Sequence, residues 1–307
     1  MAVVQSTFMV IFILELIIGN LGNGFIALVN CVDWLRRGKL SLVDRILTAL
    51  AISRIGLLWS VVLSIFTFVL YPASAATGNK SRMIFAFWVV ANHFSTWLAT
   101  ILSIYYFLKI ANFSNSLFLY LKGRVKRVVS MTLLFIVVLL CMDVMLLKPF
   151  PNGSERNVSY GHRTTKLAGV SVLFTVCLSV PYTVSLAVFL LLIFSLWKHH
   201  KRMQHHGPGP RDAGTAAHVR ALQMVVAFLL LYSIFFLALV VQHWSSTYLN
   251  TRLHILFFPA VGTVFPSGHS CILVLGNSKL RRVFLLGLQQ LRCGLRPRPK
   301  DGEPSPP

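Results

Sequence analysis

The tetrapeptide Pro266-Ser267-Gly268-His269 places a hydroxyl and an imidazole two residues apart, as part of a phosphoryl-transfer site would. That chemistry also needs a basic motif upstream and, downstream, a Ser-Arg followed by a second histidine with an acidic partner. No histidine follows His269, so the general base is missing and the enzymatic reading fails. The chain also lacks HExxH, GxSxG, a phosphate-cradling Gly-rich loop and a dinucleotide fingerprint, and no enzymatic activity is expected. Glu15 and Asp143 lie deepest of the acids in apolar runs, where a proton-coupled transporter would use them. Each is solitary in its run, however, and no repeat symmetry or pair of interrupted half-helices accompanies them. Of the cysteines Cys31, Cys141, Cys177, Cys271 and Cys293, four fall in or at the edge of apolar runs, which supports neither a disulfide framework nor a zinc site.

Binding is the chemistry that remains. Trp88 and Asn92 are four apart and share one helix face, and with His93 and Trp97 they compose a mostly aromatic lining with a few polar groups to orient a guest. Their run contains no Asp or Glu, so a salt-bridged amine anchor is absent. The last apolar run has no Lys for a retinal Schiff base, and no cofactor is expected. The implied ligand is an apolar or neutral-polar small molecule held by area and shape. Arg54 lies inside LTALAISRIGLLW, a costly position unless it faces a bundle interior and finds acceptors. Asn20, Asn23, Ser267, His269 and Ser270 lie at comparable depth in the first and last runs. A polar cluster tying the first, second and seventh helices together is expected, serving either as a switch or as structural glue. Interhelical hydrogen bonds alone average only ~0.6 kcal/mol.

These residues need helices long enough to carry them through a bilayer. Mean hydropathy is +0.72, with 56% apolar and 12% charged residues over 307 positions, which excludes an ordinary soluble domain. Runs at Thr7–Val32, Ile46–Leu70, Met83–Leu108, Val128–Leu147, Leu167–Trp197, Ala221–His243 and Leu253–Gly276 each approach the ~20 residues that a crossing requires. The expected fold is an all-α membrane protein, a seven-helix bundle. The third run is uncharged from Ile84 to Leu108, yet holds Ser95, Thr96, Thr100 and Ser103, so it belongs inside the bundle.

The net charge of +21 raises nucleic acid as a partner, but its distribution points elsewhere. Twenty-one of the 29 Lys and Arg residues fall in alternate connections and the tail, seven in the opposite connections, and Arg54 in a run. The positive-inside rule then sets the N-terminus outside and the C-terminus in the cytosol. The first run lacks a basic flank and a cleavage site, so it is expected to insert itself rather than be removed. Sequons at Asn79, Asn152 and Asn157 fall on the outside, and that at Asn112 inside. Residues 1–276 form the expected membrane domain. The third inner loop, broken by Pro208 and Pro210, is expected to be a connector. Residues 277–295 alternate basic and apolar residues as an amphipathic helix on anionic membrane lipid does, with Cys293 a palmitoylation candidate. Residues 296–307 are a Pro-rich tail expected to be disordered.

Longer segments carry a family resemblance. GNGFIALVNCVDW, LSLVDRILTALAISRIGLLW, NHFSTWLATILSIYYFLKIANFSNSLFLYLK and PSGHSCILVLGNSKLRR together resemble the type 2 taste receptors, the bitter receptors. The rhodopsin pattern is absent: no Asp-Arg-Tyr closes the third run, no Asn-Pro-x-x-Tyr sits in the seventh, and no Cys tops the third. The resemblance implies a G-protein-coupled receptor at the plasma membrane, with bitter small molecules as agonists and a heterotrimeric G protein of the gustducin or inhibitory type as partner. It implies no role for nucleic acid. It also implies a binding cavity of Trp88, Asn92, Phe235, Pro259 and Thr263, with Pro259 standing where some members carry a Glu. Tyr106, Lys109, His269 and Ser270 would stand in for the rhodopsin-class switches beside Arg54, and Asn152 or Asn157 would carry the outer-loop glycan. The alternatives are a vomeronasal type 1-like chemoreceptor and a small-solute transporter.

Overall fold

A backbone in hydrocarbon must satisfy its own polar groups, and an apolar run of 20 or more residues does so as a helix. The computed structural model describes residues 2–70, 79–111, 113–146, 160–204, 213–245 and 251–294, and every regular element among them is helical. In chain order these are α1 (Ala2–Arg37), α2 (Leu42–Leu70), α3 (Asn79–Ile110), α4 (Ser116–Gly123), α5 (Val125–Leu146), α6 (Tyr160–Gln204), α7 (Ala213–Ser245), α8 (Thr251–Gly276) and α9 (Ser278–Gly294). The seven expected runs fall on α1, α2, α3, α5, α6, α7 and α8. Described stretches of α1, α2, α3, α6 and α7 are long and apolar enough to cross a membrane, and α8 adds the shorter apolar stretch Ala260–Gly276. The eight-residue α4 is too short for hydropathy to reveal.

Local chemistry fixes the joints. Gly38 adopts φ +63° and returns its N–H to the Trp34 carbonyl at 2.8 Å, ending α1 in the left-handed cap that glycine tolerates best. Ser41 then opens α2 by reciprocal capping with Asp44: the Asp44 N–H donates to Ser41 Oγ at 3.2 Å, and the Ser41 hydroxyl donates to Asp44 Oδ2 at 2.8 Å. Asn115 caps α4 by accepting from Leu117 N–H at 2.9 Å. Asn277 does the same for α9, accepting from Lys279 N–H at 3.0 Å and Leu280 N–H at 3.2 Å.

The helices close on one another in the order α1, α2, α3, α6, α7, α8 and back to α1, with α5 packed on the outside of α3 and α9 beneath α8 and α1. Of the most apolar 18 residues, 61% are buried in α3 but only 17% in α1, so α3 is the central helix and α1 a peripheral one. The outer faces are apolar: Leu21, Leu28, Ile52, Trp59, Leu134, Leu230 and Leu237 are all more than half exposed. A soluble monomer does not present apolar surface on this scale, whereas a lipid-facing bundle requires it.

Candidate functional site

Three features meet in the middle of the bundle. The first is Arg54, fully buried on α2. Its Nη2 meets Nδ1 of His269 on α8, and its guanidinium carbon lies 5.0 Å from the centroid of the Phe265 ring. An arginine offers only donors, so His269 accepts through an unprotonated Nδ1 and carries its proton on Nε2. Taking a charge out of water costs several kcal/mol. A hydrogen bond from a charged group contributes ~1.5–3 kcal/mol and a desolvated cation–π contact ~2 kcal/mol. Two of the three guanidinium nitrogens, Nε and Nη1, are buried with no acceptor among the described residues. Among the described residues, the pair with His269 is therefore the only hydrogen bond that holds Arg54 against a large desolvation cost.

The expected partners of Arg54 divide up differently from the sequence reading. His269 is one of them, but Asn23 donates instead to Gly19 O at 2.8 Å and Pro266 O at 3.1 Å. Asn20 turns back to Leu16 O, Ser267 donates to Glu15 O at 2.8 Å, and Ser270 donates to Ser267 O at 2.6 Å. The cluster does tie α1, α2 and α8 together, but through backbone carbonyls as much as through the guanidinium. Close approach makes this possible: a Cβ on Gly19 would run into Ser267 and Leu58, and one on Gly22 would run into Ser270. Glu15 belongs to the same seam, accepting the Thr263 hydroxyl at 2.6 Å.

The second feature is an aromatic stack. Phe265 lies 4.9 Å from Tyr232 and 5.0 Å from Phe235, nearly parallel to both, and Phe228 meets the His269 ring edge-on at 4.4 Å. Nearby, Thr100 of α3 engages α6 at Pro181, where a proline interrupts the helical ladder, donating to Pro181 O at 3.1 Å and pairing with Ser185 Oγ at 2.9 Å. Rings and bonds together link α3, α6, α7 and α8.

The third is a cavity of about 320 Å³ between the ends of α3, α6, α7 and α8 that carry Lys109, Lys198 and α9. Ser103, Tyr106, Phe228, His269, Asn277 and Arg281 are among its lining residues. His269 thus touches Arg54 on one side and the cavity on the other. Below it, Lys279 of α9 binds Asp33 at 2.7 Å, Asp44 at 3.3 Å and Asn30 at 3.1 Å, fastening α9 to α1 and α2.

The residues read from sequence as a binding cavity lie elsewhere. Trp88 is half-buried and stacks on Phe85 at 5.8 Å, and Asn92, one turn on, is buried with its Oδ1 lacking an acceptor's partner among the described residues. Phe235 is buried in the aromatic stack, while the Thr263 hydroxyl is turned to Glu15 of α1. Pro259 lies within α8, and its side chain falls outside the described residues, as does that of Asn79 at the start of α3. Asn112, Asn152, Asn157 and the tail 296–307 also fall outside them. Of the proposed switch residues, Tyr106 and His269 share the cavity wall, Lys109 is exposed in the last turn of α3, and Ser270 faces Gly22 on the α1 seam. Tyr232, Phe265 and Lys279 were not singled out in the sequence. Only the recurrence of aromatics at helical spacing in α7, Phe228-Tyr232-Phe235, hinted at the first.

The sequence profile of the family described as Taste receptor protein (TAS2R) matches residues 1–292. Taste receptor type 2 member 140 of Rattus norvegicus is 50% identical over 297 residues, covering 94% of this chain and 95% of the relative. Taste receptor type 2 member 14 of Macaca mulatta is 50% identical over 312 residues, covering 99% and 96%. The member 14 protein of Homo sapiens is 49% identical over 311 residues, with the same coverage.

Proposed function

Because this chain belongs to the taste receptor type 2 family, we propose that it is a plasma-membrane receptor that detects bitter small molecules and activates a gustducin or inhibitory-type heterotrimeric G protein. In this reading the N-terminus is outside and the C-terminus in the cytosol. Residues 1–276 form the receptor domain, 277–295 a helix on the inner leaflet, and 296–307 a disordered tail. A glycan sits on Asn152, Asn157 or Asn79.

The observation that carries the proposal is the position of His269, held by Arg54 in the bundle interior and exposed to the cavity at the basic end. Agonist settles by area and shape against Trp88 and Asn92 of α3, with Phe235 of the aromatic stack as a further contact. The resemblance of the α8 segment to the family supports Pro259 and Thr263 as further agonist contacts. A shift of α7 or α8 there moves Phe265 and Phe228, and with them the ring of His269. At the other end the cavity between Tyr106, Phe228 and Arg281 widens to admit a helix of the G protein, and the basic surface from Lys109 to Arg127 steers it. Agonist acts only through its differential affinity for the two arrangements.

A calcium-release screen of a bitter-compound panel, in cells carrying a chimeric G protein, tests this. Responses that require the receptor and weaken in Trp88→Ala support it. Substrate uptake into vesicles without any calcium or cAMP response overturns it in favour of a transporter.

A further inference from the structure

Arg54 is a buried cation with no carboxylate partner among the described residues. Glu15 accepts from Thr263, Asp33 and Asp44 are held by Lys279, and no described carboxylate pairs with the guanidinium. The side chain of Asp143, in α5, falls outside the described residues. Of the donors on Arg54, those on Nη2 reach His269, while Nε and Nη1 have no acceptor among the described residues. The Phe265 ring covers the guanidinium and stacks in turn on Tyr232, with ring centroids 4.9 Å apart. The Tyr232 hydroxyl is buried and has no hydrogen-bond partner among the described residues. A further buried donor without an acceptor, Ser95 Oγ, lies one turn along α3 from Ala91, the residue set against Gly56 of α2.

We propose that Arg54 and the Tyr232 hydroxyl form a buried site for one small monovalent anion of halide size. A single negative charge balances the guanidinium, and a spherical acceptor takes several N–H and O–H donors without presenting donors of its own. Large rings on one side and the tight α1–α8 seam on the other leave no place for a bulky or doubly charged anion. The route in is the cavity that ends at His269, with Arg281 on its wall concentrating anions.

The test uses the purified full-length receptor, without agonist, in sodium chloride and in sodium gluconate at equal ionic strength. Chloride, and bromide in its place, raises the unfolding midpoint saturably by roughly 3 to 6 °C over gluconate, and Arg54→Met abolishes the increment. Equal midpoints in the two salts overturn the site, as does a chloride effect that neither saturates nor responds to Arg54→Met. Should that variant fail to accumulate, the anomalous signal of bromide in wild-type crystals decides: a peak beside Arg54 Nε or Nη1 supports the site, and its absence refutes it. Neither measurement depends on signalling, so failure here leaves the receptor reading intact.

Discussion

The seam between α1 and α8 and the junction of α3, α6 and α7 with α8 are built from opposite materials. Along the first, Gly19 and Gly22 bring backbones together against Ser267 and Ser270, and short hydrogen bonds run from Glu15 to Pro266 with nothing large between. Along the second, five rings, Phe189, Phe228, Tyr232, Phe235 and Phe265, stand between the helices, and one end opens into a 320 Å³ cavity. Small residues in lipid give a contact that cannot slide without breaking hydrogen bonds. Rings held by area can change partners with little loss, and a cavity leaves them somewhere to go. The α1–α8 seam is therefore the more rigid wall and the aromatic junction the more deformable one, with Arg54 and His269 at the boundary.

The largest effect is expected at that boundary. His269→Ala leaves Arg54 buried without its protein acceptor and should destabilise the receptor by about 3 kcal/mol, whereas Arg54→Met removes the charge together with its need and should cost less. Thermal unfolding in detergent and surface staining rank the two, and the reverse order would deny Arg54 its dependence on His269.

The glycines come next. Gly19→Ala is pinched between Ser267 and Leu58 Cδ1 at 2.7 Å, and should lose about 1–3 kcal/mol with reduced surface staining. Gly276→Ala, on the α8–α7 side, meets only the mobile thioether end of Met224 and should be tolerated. Gly24→Ala, with nothing near its Cβ, should be neutral or stabilising by up to about 1 kcal/mol. If Gly19→Ala is as mild as Gly276→Ala, the contrast between the two walls disappears.

At the proposed agonist contact on α3, Trp88→Ala and Asn92→Ala should raise the half-maximal agonist concentration by about tenfold, near 1.4 kcal/mol, at unchanged surface staining. A matching loss of staining would make both residues structural. The smallest effect is expected for Lys279→Ala, whose partners are partly solvated: stability should fall slightly and non-additively with Asp33→Ala, as a double-mutant cycle measures.

Hydropathy alone was enough to locate the long apolar helices, since a run such as Ile84–Leu108 has no other way to satisfy its backbone in lipid. It also marked α3 as interior through Asn92, Ser95 and Thr100, and the structure buries all three. Arg54 was legible as a residue in need of partners, because charge in an apolar run is conspicuous. Which partner it takes was not: five polar residues lay at similar depth, and helix rotation turns His269 toward it while sending Ser267 and Ser270 to α1. Lys279 read as one more basic residue of the tail until the fold brought Asp33 and Asp44 beside it.

Composition and periodicity, then, placed the long apolar helices and marked α3 as interior, because those features depend on how each segment meets its solvent. Tertiary structure alone decided that Glu15 answers Thr263, that Phe265 lies against Arg54, and that His269 joins the interior to a cavity. Such contacts depend on the rotation and depth of each helix relative to neighbours more than a hundred residues away, and no local sequence pattern encodes that relation.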